Sequence, residues 1–331
     1  MSRILLLGAP GNISASTIDL LTEQHHSIFA LTNFQGNLSD YQQKVTFFHG
    51  DRNETNDLIY ARDNSKAEIV IDYSCFMPEQ AESAVKVFSQ MVVQYIFVST
   101  VDVYGYPLSQ LPMPEDGKRN IPNCPYAANK AKCEEIFQHP GTEVLPLTIV
   151  RPAYSMGNRF LLTALSRDGG YTLIPRLRAG KPVFSPGDGT ALIHAGNAYN
   201  TGRMIAQIAG DTRCIGEDFT LANDTVTSYD DYIKITADHL NAKPQFVHIP
   251  TDFVYESNLP GTEDILLNDL TRYNVYFDIS KFRRFFPDFK WKKSLSESIR
   301  EFIQYNEDNF KDVDTFSFED QIIEKYLHEH H

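Results

Sequence analysis

Arg3-Ile4-Leu5-Leu6-Leu7-Gly8-Ala9-Pro10-Gly11-Asn12-Ile13-Ser14 decides how the rest of the chain is read. Ile4 to Leu7 is apolar without alternation, which marks a strand buried on both faces rather than one with a wet side. Small residues follow where that strand turns into a helix predicted from Ser14 to Gln24, with Ile18, Leu20 and Leu21 as its apolar positions. At such a turn the N–H groups of the helix start point at any anion placed there, and glycine lets it come close. Gly8, Gly11, Asn12, Ile13 and Ser14 are therefore expected to hold a pyrophosphate. Ser14 stands where a third glycine usually lies and is small enough to keep the helix close to the sheet.

Outward from this turn the pattern repeats. Further apolar runs at Ile28–Leu31, Val45–Phe48, Ile69–Ile71, Tyr95–Val98 and Leu147–Val150 read as strands, with helices at about Pro78–Gln90 and Tyr126–Phe137 between them. Continuous apolar strands separated by helix-length segments make a parallel, doubly wound α/β sheet, with ligands at the carboxyl ends of the strands. After Arg151-Pro152 the alternation loosens into Gly/Pro punctuation. Helices are expected at Ala198–Ala209, from Ser228 to about Leu240, and at Leu295–Tyr305, with strands near Phe219–Leu221 and Phe246–Ile249. The domain expectation is a sheet domain of residues 1–155 plus about 183–222, and a smaller interwoven substrate domain of about 156–182 and 223–310. Residues 311–331 are expected to be a C-terminal tail, its His328-Glu329-His330-His331 end frayed.

Composition narrows the partners. The 331 residues carry 43 acidic and 30 Lys/Arg side chains, a net charge of −13, so neutralising a nucleic-acid backbone is not the expected task. With 42% hydrophobic and 22% charged residues, the chain is ordinary globular material and not disordered. No apolar run approaches the length of a membrane span. Cys75, Cys124, Cys133 and Cys214 fall at no metal-ligand spacing and read as reduced thiols in a cytoplasmic protein, with no metal. A strand beginning at Arg3–Ile4 leaves no room for a signal peptide.

The chemistry concentrates in two places. Tyr126 and Lys130 sit at i and i+4, on one face of a helix that follows the strand ending in Ser99-Thr100. An ordinary tyrosine pKa is about 10; a neighbouring ammonium favours the anion and makes the phenol a usable acid/base near neutrality. Thr100 would offer its hydroxyl to the substrate oxygen. At the other end, the second strand runs into Asn33-Phe34 with no acid before Asp40 and no base before Lys44. A 2′-phosphate wants a cation, so the cofactor is NAD or NADP with a lean to NAD. Asp51 and Arg52 end the third strand on the adenine side, and Ser74 follows the fourth. Cys75 reads as a buried structural thiol.

In order along the chain, Gly8-x-x-Gly11-x-x-Ser14, Ser99-Thr100-Val101-Asp102-Val103-Tyr104-Gly105, Tyr126-x-x-x-Lys130, Arg151-Pro152 and Pro186-Gly187-Asp188-Gly189 resemble the extended short-chain dehydrogenases/reductases, the NAD-dependent epimerase/dehydratase group. The resemblance implies a Rossmann-type fold and an NAD(P)-dependent oxidoreductase or epimerase/dehydratase acting on a hydroxyl or keto group of a small molecule. It assigns Thr100 to the substrate oxygen, Tyr126 to acid/base work, Lys130 to the nicotinamide ribose and the Tyr126 pKa, and Ser99 and Pro152 to the cofactor's surroundings. It also implies a homodimer.

The departures concern the substrate. Sugar-nucleotide members carry Arg-Asp after the Gly-Asp-Gly turn, with the Arg on the diphosphate. Here Thr190-Ala191-Leu192-Ile193-His194-Ala195-Gly196-Asn197 keeps His194 but lacks the Arg, with Arg159, Arg176 and Arg178 as possible substitutes. His49-Gly50-Asp51-Arg52 and Ile174–Pro182 also resemble an atypical branch that includes plastid stem-loop-binding proteins, so an RNA-binder or a non-catalytic NAD(P) sensor is the alternative. Those RNA-associated relatives lack an intact Tyr-x-x-x-Lys, which this chain keeps. The basic aromatic segment Phe282–Phe286 reads as packing with exposed Arg heads.

Overall fold

Ile4 and Leu6 face one side of the first strand, Leu5 and Leu7 the other, and all four are fully buried. That is why the strand shows no alternation. The computed structural model describes residues 1–34, 36, 38–139, 144–310 and 317–330. Its first half runs β1 (Arg3–Leu7), α1 (Ser14–Glu23), β2 (Ser27–Thr32), β3 (Val45–His49), α2 (Thr55–Ser65), β4 (Ile69–Asp72), α3 (Pro78–Phe88), β5 (Gln94–Val98), α4 (Pro125–Gln138) and β6 (Leu147–Pro152). Then come β7 (Ser155–Met156), α5 (Leu173–Arg178), β8 (Pro182–Pro186), β9 (Leu192–Ile193), β10 (Gly196–Asn197), α6 (Ala198–Ile208) and β11 (Asp218–Leu221). The remainder is β12 (Thr227–Ser228), α7 (Tyr229–His239), β13 (Gln245–Ile249), α8 (Thr251–Glu256), α9 (Ser280–Phe285), α10 (Leu295–Tyr305) and α11 (Ser317–His330).

The main sheet has seven strands in the order β11-β6-β5-β4-β1-β2-β3, and every pair in it is parallel. The winding reverses at β1, with β2 on one side of it and β4 on the other. Leu7 pairs in register with Leu31 and with Asp72, so the carboxyl ends of these strands form one ledge. In such sheets that reversal is where ligands bind. Ile18 and Leu21 of α1, Met204 to Ile208 of α6, and Phe282 of α9 pack one face. Leu58 of α2, Ala81 to Phe88 of α3, and Cys133 and Phe137 of α4 pack the other. This is the doubly wound α/β fold expected from the strand pattern.

The later elements build their own core around Leu161, Ile174, Phe184, Tyr232, Ile249, Leu267 and Phe302. Ser228 caps α7 by accepting the Asp231 N–H, and Ser294 with Glu297 forms a capping box at α10.

The expected frayed end is corrected: residues 317–330 form α11. Phe318, Ile322 and Ile323 recur at helical spacing and are buried, while Glu319 accepts the Phe184 N–H at 2.8 Å. His331 and residues 311–316 of the tail expectation lie outside the described residues. No described helix is long and apolar enough to cross a membrane.

Candidate active site

A cleft of about 500 Å³ lies on the ledge at the switch point. Gly8, Gly11, Asn12, Ile13 and Ser14 line one wall; Ser99, Thr100, Tyr126 and Lys130 line another; Pro152 to Ser155 close it. Gly8 has φ +83°, and a Cβ built there would stand 2.6 Å from Ser74 Cβ, so only glycine fits. A Cβ at Gly11 would meet nothing nearer than Ser14 Oγ at 3.5 Å and would fill open cleft. No side chain caps the start of α1; the Gly11 N–H goes to Ser14 Oγ at 2.7 Å and the Ala15 N–H to Gly11 O at 3.2 Å, while the N–H groups of Asn12, Ile13 and Ser14, which line the cleft, have no partner among the described residues. Asn12 Nδ2 donates to Ser155 O at 2.8 Å and ties this turn to the segment after β6. An uncapped helix start beside a cradle without side chains suits the pyrophosphate of a dinucleotide.

Tyr126 is presented by the start of α4, where Pro125 occupies the first turn without wasting an N–H. The helix is anchored from below. Arg151, fully buried, binds Glu134 through Nε and Nη2, both at 2.9 Å, and reaches Asp218 with Nη1 at 2.7 Å. Lys130 lies one turn beyond Tyr126 and is 1% exposed. Its Nζ donates to Val98 O at 2.7 Å and sits 4.7 Å from the Phe76 ring centroid and 4.9 Å from that of Phe97. Burial lowers its pKa from 10.5 to about 8.

Thr100 Oγ1 donates to Asp102 Oδ2 at 3.1 Å and accepts the Asp102 N–H at 3.3 Å, which leaves one lone pair for a substrate hydroxyl. Asp102 also accepts from Tyr154 at 2.5 Å and from Tyr106 at 3.1 Å. Burial raises the Asp102 pKa, and these three hydroxyls oppose the rise. The expectation that neighbouring charge holds Tyr126 down is reversed among the protein's own groups. Desolvation at its hydroxyl end, on a residue that is otherwise 43% exposed, raises the Tyr126 pKa first, the Asp102 charge adds to this, and the neighbouring Thr100 hydroxyl lowers it. The ammonium of Lys130 is turned to Val98 instead.

Of the other residues singled out in the sequence, Ser99 and Pro152 line the cleft, and Ser74 packs against Gly8 beneath it. Asn33 and Asp51 lie outside its lining, beyond the ends of β2 and β3; Asp51 Oδ1 accepts the Asn53 N–H at 2.8 Å. Arg52 is a correction. It turns inward, 6% exposed, with Nη2 2.6 Å from Asp72 and 3.0 Å from Gln80 O, because a buried carboxylate requires a cation there. Burial disfavours that charge, and Asp72 outweighs it, raising the Arg52 pKa.

His194 is buried with Nε2 2.7 Å from Asn223 O and Nδ1 accepting the Phe277 N–H at 3.0 Å. Arg176 is held by Glu319 at 3.1 Å and Asp320 at 2.8 Å, and Arg178 by Glu307 at 2.7 Å, so neither substitutes for the missing Arg. Arg159 lines a neighbouring cavity with Phe34 and Tyr41. Cys75 is fully buried, its Sγ 3.9 Å from Cys133 Sγ. Phe282 is buried, and Arg283 stacks over Trp291. Asp102, Tyr106, Tyr154 and Phe76 were not singled out from the sequence. Asp102 and Tyr154 were within reach, one inside the Ser99–Gly105 segment and the other just past Arg151-Pro152.

A doubly wound sheet with Thr, Tyr and Lys on the cleft wall opposite a small-residue turn defines the extended short-chain dehydrogenase/reductase class of enzymes. Within it the chain belongs to the NAD dependent epimerase/dehydratase family, whose sequence model matches residues 4–208. The chain is similar to a UDP-glucose 4-epimerase of Halalkalibacterium halodurans, 26% identical over 151 residues, which is 40% of this chain and 45% of that protein. Among solved structures it resembles the Bordetella bronchiseptica enzyme WbmH in complex with NAD+, with TM-score 0.70 and 16% identity over 94% of this chain and 100% of the other. It also resembles a Bacillus anthracis dTDP-glucose 4,6-dehydratase in complex with NAD, with TM-score 0.71 and 15% identity over 93% and 97% of the two chains. At those identities the structural likeness is one of fold.

Proposed function

We propose that the chain is an NAD-dependent enzyme that interconverts a hydroxyl and a keto group on a hydroxylated small molecule, by net redox, epimerisation or dehydration. The observation that carries this is the convergence of Thr100, Tyr126 and Lys130 on the cleft wall facing the uncapped start of α1. Gly8, Gly11, Asn12, Ile13 and Ser14 would hold the pyrophosphate, with Ser99 and Pro152 beside the nicotinamide and Asn33, Asp51 and Ser74 on the adenosine side. The bound nicotinamide supplies the hydride acceptor and donor.

Tyr126 takes or returns the hydroxyl proton, and Thr100, its own proton given to Asp102, accepts from the same substrate hydroxyl and orients it. Lys130 holds the ribose and, once turned from Val98 O toward the cleft, lowers the Tyr126 pKa against the influence of Asp102. NAD is preferred to NADP because Arg52 is engaged by Asp72 and the residues after β2, Asn33 and Phe34, carry no cation. The same reading takes residues 1–155 with about 183–222 as the cofactor part, about 156–182 and 223–310 as the substrate part, and a cytoplasmic homodimer as the assembly.

Calorimetric titration of NAD, NADP and their reduced forms tests the binding half; no binding at millimolar concentration by any of them sinks the proposal. NADP binding at least tenfold tighter than NAD would hand the adenosine end to Arg159. Tyr126→Phe tests the chemistry. With a substrate in hand, turnover should fall by about 10²-fold or more while NAD affinity holds. Wild-type turnover in that variant refutes the mechanism.

A further inference from the structure

Whatever reacts beside Tyr126 must leave the rest of its molecule in a second cavity of about 250 Å³, which shares Asp102, Tyr126, Tyr154 and Phe160 with the cleft. Its outer wall is apolar, made by Leu162, Leu266 and Leu270. Another part of its wall carries the hydroxyls of Tyr106 and Tyr154, whose oxygens lie 2.6 Å apart, with Tyr154 the nearer of the two to Asp102 at 2.5 Å.

Charge decides what this space accepts. Among the described residues lining the two cavities, the cations are Lys130 and Arg167. The Lys130 ammonium is buried against Val98 O. Arg167 is turned onto carboxylates, Nε 2.7 Å from Asp264 and Nη2 2.7 Å from Asp269. Asp102 and Asp269 face the second cavity themselves.

The start of α4 also faces it, yet it is poorly equipped for anions. Pro125 has no N–H, and the Ala128 N–H is given to Cys124 O at 3.0 Å. A phosphate entering here would lose its water without gaining a free cation, beside two carboxylates. His194 and Asn197, in the segment where sugar-nucleotide relatives carry the diphosphate Arg, are buried and engaged in internal hydrogen bonds.

We infer that the substrate is a small hydroxylated ring compound that carries no phosphate, its hydroxyls toward Asp102, Tyr106 and Tyr154 and its apolar face on the three leucines. This rests on the function proposed above. The cavity volume suits one such ring and leaves no enclosed room for a nucleoside diphosphate.

Saturation-transfer NMR on the NAD-loaded protein tests it, with myo-inositol, glucose and galactose set beside UDP-glucose and UDP at equal millimolar concentration. Transfer to at least one of the unphosphorylated rings is expected, undiminished by added UDP. Leu266→Trp should fill the cavity and remove that transfer. Micromolar binding of UDP-glucose that UDP displaces overturns the inference, and so does a panel in which none of the rings shows transfer. NAD affinity, measured in the same samples, separates failure of this inference from failure of the reading it rests on.

Discussion

Lys130 should make the folded protein more stable as the solution becomes more alkaline, against the usual trend. The lysine is 1% exposed, and burial brings its pKa from 10.5 to about 8. Below pH 8 folded and unfolded chains both hold the proton, and the folded state bears the full penalty of a buried charge. Between pH 8 and 10.5 the folded state has released the proton while the unfolded state keeps it, so stability rises with pH by up to about 1.4 kcal/mol per pH unit. Across the interval from about 8 to 10.5 the gain sums to about 3 kcal/mol. Lys130→Met fills the slot between Phe76 and Phe97 with an apolar chain of similar length and has nothing to titrate. Urea denaturation of both proteins, at intervals from pH 7 to pH 10, isolates this contribution, because every other titrating group is common to the pair. The wild-type curve should climb relative to the variant above pH 8. Parallel curves would falsify the burial argument and with it the view that this lysine is held at an energetic disadvantage beside the cleft.

Other expectations follow from the same geometry. Arg151→Met leaves Glu134, a fully buried carboxylate, with Arg119 at 2.8 Å as its one remaining ion-pair partner among the described residues, and should destabilise the protein by about 3–5 kcal/mol in urea; a loss below about 1 kcal/mol means α4 is not anchored this way. Gly8→Ala places a Cβ 2.6 Å from Ser74 at φ +83°, so at least about 1 kcal/mol of stability and much of the NAD affinity should go; unchanged calorimetric affinity contradicts the cradle. Asp102→Asn keeps an acceptor for Thr100 but removes the charge that raises the Tyr126 pKa. The pH–rate midpoint assigned to Tyr126 should therefore move to lower pH, and a midpoint that stays put assigns the raised pKa to desolvation alone.

The sheet was legible in the sequence because strands buried on both faces announce themselves as unbroken apolar runs, and the start of α7 because Ser228 acts within three residues of itself. The small-residue turn and the Thr100, Tyr126 and Lys130 set were legible for a related reason: each depends on a local geometry, a strand end or one helix turn, that spacing encodes. α11 was missed because its apolar positions gain their meaning only from the β8–β13 pair they cover.

The electrostatics of the site belong to tertiary structure. Arg52, just past the end of β3, reaches Asp72 at the end of β4, 20 residues on and three places along the sheet. Tyr154 reaches Asp102 across 52 residues because Val98 and Val150 pair in register, carrying the segments beyond β5 and β6 to one spot. Arg167 is occupied by Asp264 and Asp269, about a hundred positions away. Whether a charge is paired, buried or free depends on what the fold brings within a few ångströms, and no spacing along the chain records that distance.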